Sequence, residues 1–418
     1  MIGSSSRWAQ TRLAAATVAR GARGLATASV EGVKVAAIEN GAATTTVSFV
    51  ARAGSRYQTS PGAAHALERF AFQSTAARSG LRLTREAELL GGQLSSTLSR
   101  EHIVLTAKFL PEDLPYFVAA LSDVFARPTL SRHEFAEIIQ PLLKLDAAAA
   151  AAQPAYVAEE LAFETAFRSG LGAPLLAAPV DGVTPEAVAA HAASAYTKAN
   201  LAVVASGAAL ADLTALLGES LQGAAAGSAL APASKYYGGE ARLRSAAGNA
   251  LVFGYAAPAS ADAAVLAAVL GGASSIKWSA GTSLLGSAFG GAATAKYSAF
   301  ADTGFLSVAV GGAPADIKAT AAGAVQLVKA LATGSLNDAA VSAAVAKAKF
   351  AAAAELDSSA GLVSIGASLL DAAPALSAFD AVTVDSVVAA AKAVLASKPT
   401  VAAVGKTTEL PYADELGL

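Results

Sequence analysis

Two stretches of the chain read alike: VTPEAVAAHAASAYTKANLAVVASG at residues 183–207 and VTVDSVVAAAKAVLASKPTVAAVG at residues 382–405. Each opens on a threonine, Thr184 or Thr383, with an acid, Glu186 or Asp385, two residues on. A threonine oxygen accepts from the free N–H groups of a helix start, and an early carboxylate complements the helix dipole. An apolar helix then gives way to a short buried strand that ends at Gly207 or Gly405. The two copies lie 199 positions apart, 183 against 382.

A second pair has the same displacement. Gly91-Gly92 precedes QLSSTLSREHIVLTAKFL, and Gly290-Gly291 precedes AATAKYSAFADTGFLSVAVGG. Each reads as an antiparallel hairpin around a polar turn, Arg100-Glu101 in one and Asp302-Thr303-Gly304 in the other. Pro111-Glu112-Asp113 and Pro314-Ala315-Asp316 then open helices, the first with Leu114, Phe117, Val118, Leu121, Val124 and Phe125 at helical spacing. Ser131 and Asn337 cap the helix that follows. Two matches in one order at nearly one spacing, 199 for the glycine pairs and 203 for the helix-opening prolines, indicate an internal duplication. The class is α+β: two tandem homologous α/β domains, each a mixed, mostly antiparallel sheet with helices packed on it. We expect the domains at residues 29–222 and 235–418. The linker between them, 223–234 (GAAAGSALAPAS), is small and free of charge.

Composition narrows the chemistry. Charged residues make up 15% of the 418, against about 25% in an average soluble chain. With 54% apolar residues the chain is no disordered protein. It has no cysteine, which removes disulfides, thiolate metal sites and cysteine nucleophiles. Its net charge of −2 supplies no basic field for nucleic acid. The low charge fits a surface covered by permanent partners; a general bias toward alanine fits it as well.

Residues 1–30, MIGSSSRWAQTRLAAATVARGARGLATASV, contain Arg7, Arg12, Arg20 and Arg23 and no acid before Glu31. Arginine-rich, serine-bearing and acid-poor is the pattern of a mitochondrial presequence. We read 1–28 as such, with cleavage near Leu25 and Ala26; a basic tail is the alternative. Removing the four arginines would take the net charge from −2 to −6.

One motif resembles a catalytic one. His65-Ala66-Leu67-Glu68-Arg69 follows the helix-start signal Ser60-Pro61-Gly62. Residues 65 and 69 share a helix face, with 68 beside them. In the zinc motif H-x-x-E-H two histidines at this spacing hold the metal and the glutamate is the general base. Here the second histidine is Arg69, which has no lone pair to give and stays charged. The expected role of Glu68 is to turn toward a nearby arginine.

The broken motif in HALERFAFQST (65–75) is similar to that of the pitrilysin/insulinase-like metallopeptidase family. Further stretches carry the likeness: REAELLGGQLSSTLSRE (85–101), QPAYVAEELAFETAFRSGLGAPL (153–175), SKYYGGEARLRSAAGNALV (234–252), AFADTGFLSV (299–308) and PYADELGL (411–418). The likeness runs from about Val30 to the C-terminus. It implies a third ligand at the position of Leu145, where leucine cannot ligate, with the acid Asp146 next to it. So His65, Glu68, Arg69 and Leu145 mark a degenerate metal site, and neither a catalytic residue, a bound metal nor a cofactor is expected. The resemblance is strongest to the non-catalytic core subunits of mitochondrial respiratory complex III. It implies a structural, matrix-facing subunit, peripheral to the inner membrane, in a dimeric complex with core protein 1, cytochrome b and the Rieske protein. It also implies a crevice between the two domains. The alternative is the non-catalytic alpha subunit of the mitochondrial processing peptidase, which carries a glycine-rich loop. The matching stretch here, GGASSIKWSAGTSLLGSAFGG (271–291), is diluted by Ile276, Lys277 and Trp278.

The other polar residues invite plain readings. Glu159, Glu160 and Glu164 suggest a solvated or interface helix face. His102, in a hairpin turn, should be exposed; His133 should sit beside a helix cap and His191 on an alanine-rich helix. Tyr236 and Tyr237 fit either an interface anchor or packing where the second domain begins.

Overall fold

The structure, a computed structural model, describes residues 24–272, 278–279, 281–334, 336–357, 359–371 and 376–418. The first sheet contains β1 (Leu25–Val30), β2 (Val33–Ile38), β3 (Thr45–Ala51), β4 (Gln93–Leu98), β5 (Ile103–Phe109) and β6 (Leu201–Ser206), in the order β1-β2-β6-β3-β5-β4. The second contains β7 (Gly239–Arg244), β8 (Ala250–Ala257), β9 (Ala293–Ala299), β10 (Gly304–Gly311) and β11 (Thr400–Gly405), in the order β7-β11-β8-β10-β9. Apart from the extra edge strand β1 the two orders coincide. In each sheet one pair is parallel, β2 with β6 and β7 with β11, and the others are antiparallel.

The helices repeat too. Between β3 and β4 lie α1 (Ala63–Arg69) and α2 (Gly80–Leu89). Between β5 and β6 lie α3 (Leu114–Ala126), α4 (Arg132–Glu134), α5 (Gln140–Ala151), α6 (Pro154–Phe167) and α7 (Pro185–Ala195); α8 (Leu210–Ser220) follows β6. In the second copy α9 (Ala261–Leu270) and α10 (Leu284–Phe289) separate β8 from β9. There α11 (Pro314–Ala332), α12 (Asp338–Asp357), α13 (Ser359–Leu370) and α14 (Val384–Ala396) separate β10 from β11. The two threonines cap as the duplicated stretches require: Thr184 accepts from the Ala187 N–H at 3.2 Å, and Thr383 from Ser386 at 3.2 Å. Ser386 returns the bond to the Thr383 N–H at 3.0 Å, which completes a capping box.

One face of each sheet is covered by its own helices. On the first, Phe117 of α3 stacks on Phe109 of β5 with ring centres 4.3 Å apart, and Phe125 meets Phe49 of β3 at 6.3 Å. On the second, Ile317, Ala321, Val325 and Val328 of α11 join the core formed by Leu306, Val308 and Val310 of β10.

The opposite faces are covered by exchange between the halves. Helix α6 leaves the first copy and packs on β8 and β11 of the second sheet. Its repeat counterpart α13 leaves the second copy and packs on β3 and β6 of the first. The central strands are thus buried on both sides, and β6 reads LAVVAS with no polar alternation until its last residue. Gly366 marks the closest approach of α13, since a Cβ there would stand 2.5 Å from Val50 Cγ2.

The two hairpin tips also meet. Arg56 binds Glu101 of the first tip at 2.6 Å and Asp302 of the second at 2.9 Å, and the Ala301 N–H donates to Glu101 at 3.1 Å. The expectation that His102 is exposed fails here: it is buried, because the C-terminal end of α13 closes over the first hairpin turn. Residues 223–234 contain no helix or strand beyond a turn. They are tied down where Ala225 and Ala226 accept from the Lys198 and Ala199 N–H groups.

Candidate functional site

Helix α1 begins at Gly62, whose φ of 84° is in the left-handed region. A Cβ there would meet Ala177 Cβ at 2.7 Å and Val183 Cγ2 at 2.8 Å, so only glycine lets the 177–183 segment lie against the helix start. This segment matters because the Ala177 N–H donates to His65 Nδ1 at 3.1 Å. A nitrogen facing a backbone N–H can only accept, which assigns the imidazole proton to Nε2. Nε2 in turn lies 3.2 Å from Asp146 Oδ2 and donates to it. Burial pulls the His65 pKa below its ordinary value, Asp146 opposes this, and the cation of Arg69 adds to the lowering.

Arg69, one turn on, donates from Nε to the same Asp146 oxygen at 2.8 Å and stands 3.6 Å from Glu68 Oε2. The expectation that Glu68 turns toward an arginine fits this arrangement. Its other oxygen accepts from the Ser96 hydroxyl of edge strand β4. The acid on α5 that reaches the site is Asp146; Leu145, at the position implied for a third ligand, is exposed on the outside of the helix. The side chain of α5 that faces the motif is therefore the next one along, Asp146.

The group that an intact motif of this kind would hold is zinc, and the donors present do not fit it. The Nε2 atom of His65 carries a proton where a metal would need the lone pair. Arg69 contributes a fixed cation instead of a neutral ring. The carboxylate of Asp146 is already shared by both. Among the described residues no three His, Cys, Asp or Glu side chains gather in a group able to hold a metal ion. What the cluster can do chemically is join α1 to α5 by a charge-assisted hydrogen bond.

The remaining residues singled out by sequence fall into other roles. Glu160 pairs with Arg100 at 2.5 Å and Glu159 with Lys296 of β9 at 2.5 Å, so two of the three acids on α6 bind between helix and hairpins. Glu164 is exposed. His133 lies after the Ser131 cap of α4, 3.3 Å from Glu137. His191 of α7 is buried and its Nε2 meets the Ala53 carbonyl at 2.8 Å. Tyr236 packs on Phe167 with ring centres 5.7 Å apart and bonds Thr400 at 2.8 Å, which places it in the packing between α6 and the second sheet. Tyr237 lies beneath Arg168, 4.2 Å from ring centre to guanidinium. Of the glycine-bearing stretch 271–291, residues 273–277 and 280 lie outside the described residues; Trp278 is exposed.

A pocket of about 470 Å³ lies beside the site, between the end of α6 and the loop at 169–179, with Gln58, Glu160 and Arg168 in its wall. Sequence reasoning missed the ion pairs that join the halves, Arg52–Asp371 at 2.6 Å and Arg56–Asp302. No local signal marks them, because each joins residues more than 200 positions apart.

Comparison with known proteins follows the same line. Residues 34–179, which include the whole broken motif, match the family described as Insulinase (Peptidase family M16). Over 418 aligned residues the chain is 40% identical to the "Cytochrome b-c1 complex subunit 2, mitochondrial" of Neurospora crassa, covering 93% of this chain and 90% of that one. The chain belongs to the cytochrome b-c1 complex subunit 2 family. The protein of the same name from Yarrowia lipolytica is 40% identical, over 94% of this chain and 97% of its own. That from Mus musculus is 29% identical, over 92% and 90%. These relatives bear the name of a complex III subunit and not that of a processing peptidase, so the alternative reading gains no support. The site thus belongs to a chain with a peptidase-family segment in which the motif's second histidine position is occupied by Arg69.

Proposed function

We propose that the chain is a non-catalytic structural core subunit of mitochondrial complex III, needed for the assembly and stability of the complex that passes electrons from ubiquinol to cytochrome c. The observation that carries the non-catalytic part is the pair of blocked ligands: the proton on His65 Nε2, set by Ala177, and the guanidinium of Arg69 on Asp146. A hydrolase of this type needs an open metal position for water. No residue of this cluster supplies one.

On this reading the chain lies on the matrix side of the inner membrane, peripheral to it, in a dimeric complex with core protein 1, cytochrome b and the Rieske protein. No described helix is long and apolar enough to cross a membrane, and the printed names of the relatives support assembly with other subunits of that complex. The division into domains at 29–222 and 235–418 is part of the proposal, with the qualification that α6 and α13 each serve the other half's sheet. So is the presequence, most of which lies outside the described residues. A cut near Leu25 and Ala26 would fall at the start of β1, where Leu25 pairs with Ile38 and Ala26 with Ala37, and would leave four or five rungs of that strand.

The test is purification of the tagged chain from detergent-solubilised mitochondria. Haem-bearing partners at fixed stoichiometry, and no presequence cleavage by the purified material that depends on His65, are expected. A soluble heterodimer that cleaves presequences and lacks haem would overturn the proposal.

A further inference from the structure

The two exchanged helices are fastened differently. Helix α6 is seated by aromatic rings: Phe163 lies 5.0 Å from Phe305 and 5.8 Å from Phe300, and Phe167 lies 5.9 Å from Phe305. On the side of its own half, α6 is held by Arg100 of the first hairpin tip, whose guanidinium lies 3.8 Å from the Phe163 ring and pairs with Glu160. Helix α13 brings no aromatic residue. Its seat is aliphatic, with Leu362, Val363, Ile365, Leu369 and Leu370 on the small and branched residues of β2, β3, β5 and β6. A large ring buries far more area than any of these and adds a geometric preference to it.

What α13 lacks in packing is supplied at its C-terminal end. Lys34 of β2 donates to the Leu369 carbonyl, and Arg52 donates to the Leu370 carbonyl. Arg52 also binds Asp371 Oδ1 at 2.6 Å, and His102 Nε2 lies 3.3 Å from Asp371 Oδ2. Helix C-termini present unpaired carbonyls and a partial negative charge, which cations satisfy. Burial works to raise the Asp371 carboxyl, yet the hydrogen bonds from His102 and Arg52 outweigh it and hold it below the ordinary carboxylate range. Three cationic or hydrogen-bonding side chains of the first half thus converge on one helix end of the second.

We propose that α13 is a releasable strap, locked onto the first sheet by the Lys34–Arg52–His102 clamp, and that its release uncovers the outer face of that sheet while α6 stays seated on the second sheet and keeps the halves joined. The exposed sheet face would then be aliphatic: Ala36, Val50, Val104, Ala202 and Val204 are its buried residues in the closed state.

The test is hydrogen exchange on the full-length chain, comparing Asp371→Ala, Asp371→Asn and the unaltered protein. Removing hydrogen bonds to charged groups in a partly buried clamp should speed exchange of the α13 amides by about tenfold or more. Asp371→Asn, which keeps an acceptor for Arg52, should give a smaller rise, and the α6 amides should not change. Because the chain has no cysteine, Val50→Cys with Gly366→Cys offers a single cross-link between strap and sheet: their Cβ atoms would stand 3.0 Å apart, so a shift of about half an ångström or more brings them to disulfide spacing. Oxidation of that pair in the Asp371→Ala background should restore slow exchange, and reduction should remove it again. Equal acceleration in α6 and α13, or no acceleration in α13, would overturn the proposal.

Discussion

Replacing Arg69 by histidine puts a second imidazole one turn after the first and tests whether the guanidinium is what keeps zinc from this site. In the native chain a divalent ion on Asp146 Oδ2 would stand about 4.5 Å from the guanidinium, which lies 2.8 Å from the same oxygen. Two charges against one at that separation repel by about 2 kcal/mol in water and about 7 kcal/mol at an effective dielectric constant of about 20. Arg69 is more than a third exposed, so we work with the lower figure, which corresponds to about 30-fold in affinity. The histidine also adds a ligand. A penalty remains, because His65 must move its proton to Nδ1 and lose the bond from Ala177, at a cost of about 1–3 kcal/mol. Calorimetric titration with zinc should therefore find no binding to the native chain, and binding at least about 30-fold stronger to Arg69→His. That gain should vanish in Arg69→His with Asp146→Ala. Stoichiometric zinc on the native chain, released by His65→Ala, would refute the reasoning.

Three further outcomes follow from the packing. Phe163→Ala removes a fully buried ring from the α6 seat and should cost about 3–5 kcal/mol; a urea midpoint unchanged from the native chain would show that α6 does not couple the halves. Ala in place of Gly92 sets a Cβ 2.1 Å from Phe117 Cζ, and overpacking of this kind should cost about 1–3 kcal/mol, read as a lower thermal midpoint. Burial holds His65 and His191 less basic than in the unfolded chain, against the pull of Asp146 on the one and the Ala53 carbonyl on the other. Below the ordinary histidine pKa of 6.5 the unfolded chain takes up protons that the folded one resists. Stability should fall as pH drops through that value and show no contribution from these two groups above it. A urea midpoint that rises between pH 7.5 and pH 5.5, both about a unit either side of the histidine range, would contradict this.

The duplicated stretches at 183–207 and 382–405 disclosed the repeat, but not the order of strands, which only the structure gives. Thr184 and Thr383 could be read because capping is local. The loss of a ligand at Arg69 was legible for the same reason, being one side chain's chemistry. That Asp146 and not Leu145 faces the motif was not legible, since a π-helical turn at Phe135–Ile139, just before α5, adds a residue to the turn and shifts which positions face inward. The exchange of α6 and α13 left no trace in spacing. Both helices are apolar over much of their surface, and nothing in a periodic pattern says whose sheet a helix will cover. His102 was read as exposed from its place in a turn, and what buries it is Asp371, 269 residues away.

The exchange also fixes an order of events. A chain made from its N-terminus has all six strands of its first sheet once Ser206 is complete, but the helix that shields the outer side of that sheet begins at Ser359. Over the intervening stretch the half-finished molecule must wait with Val50, Val104 and Val204 uncovered. The first half therefore cannot finish its own packing alone; its outer strands stay oily until the last 60 residues of the chain, 359–418, arrive.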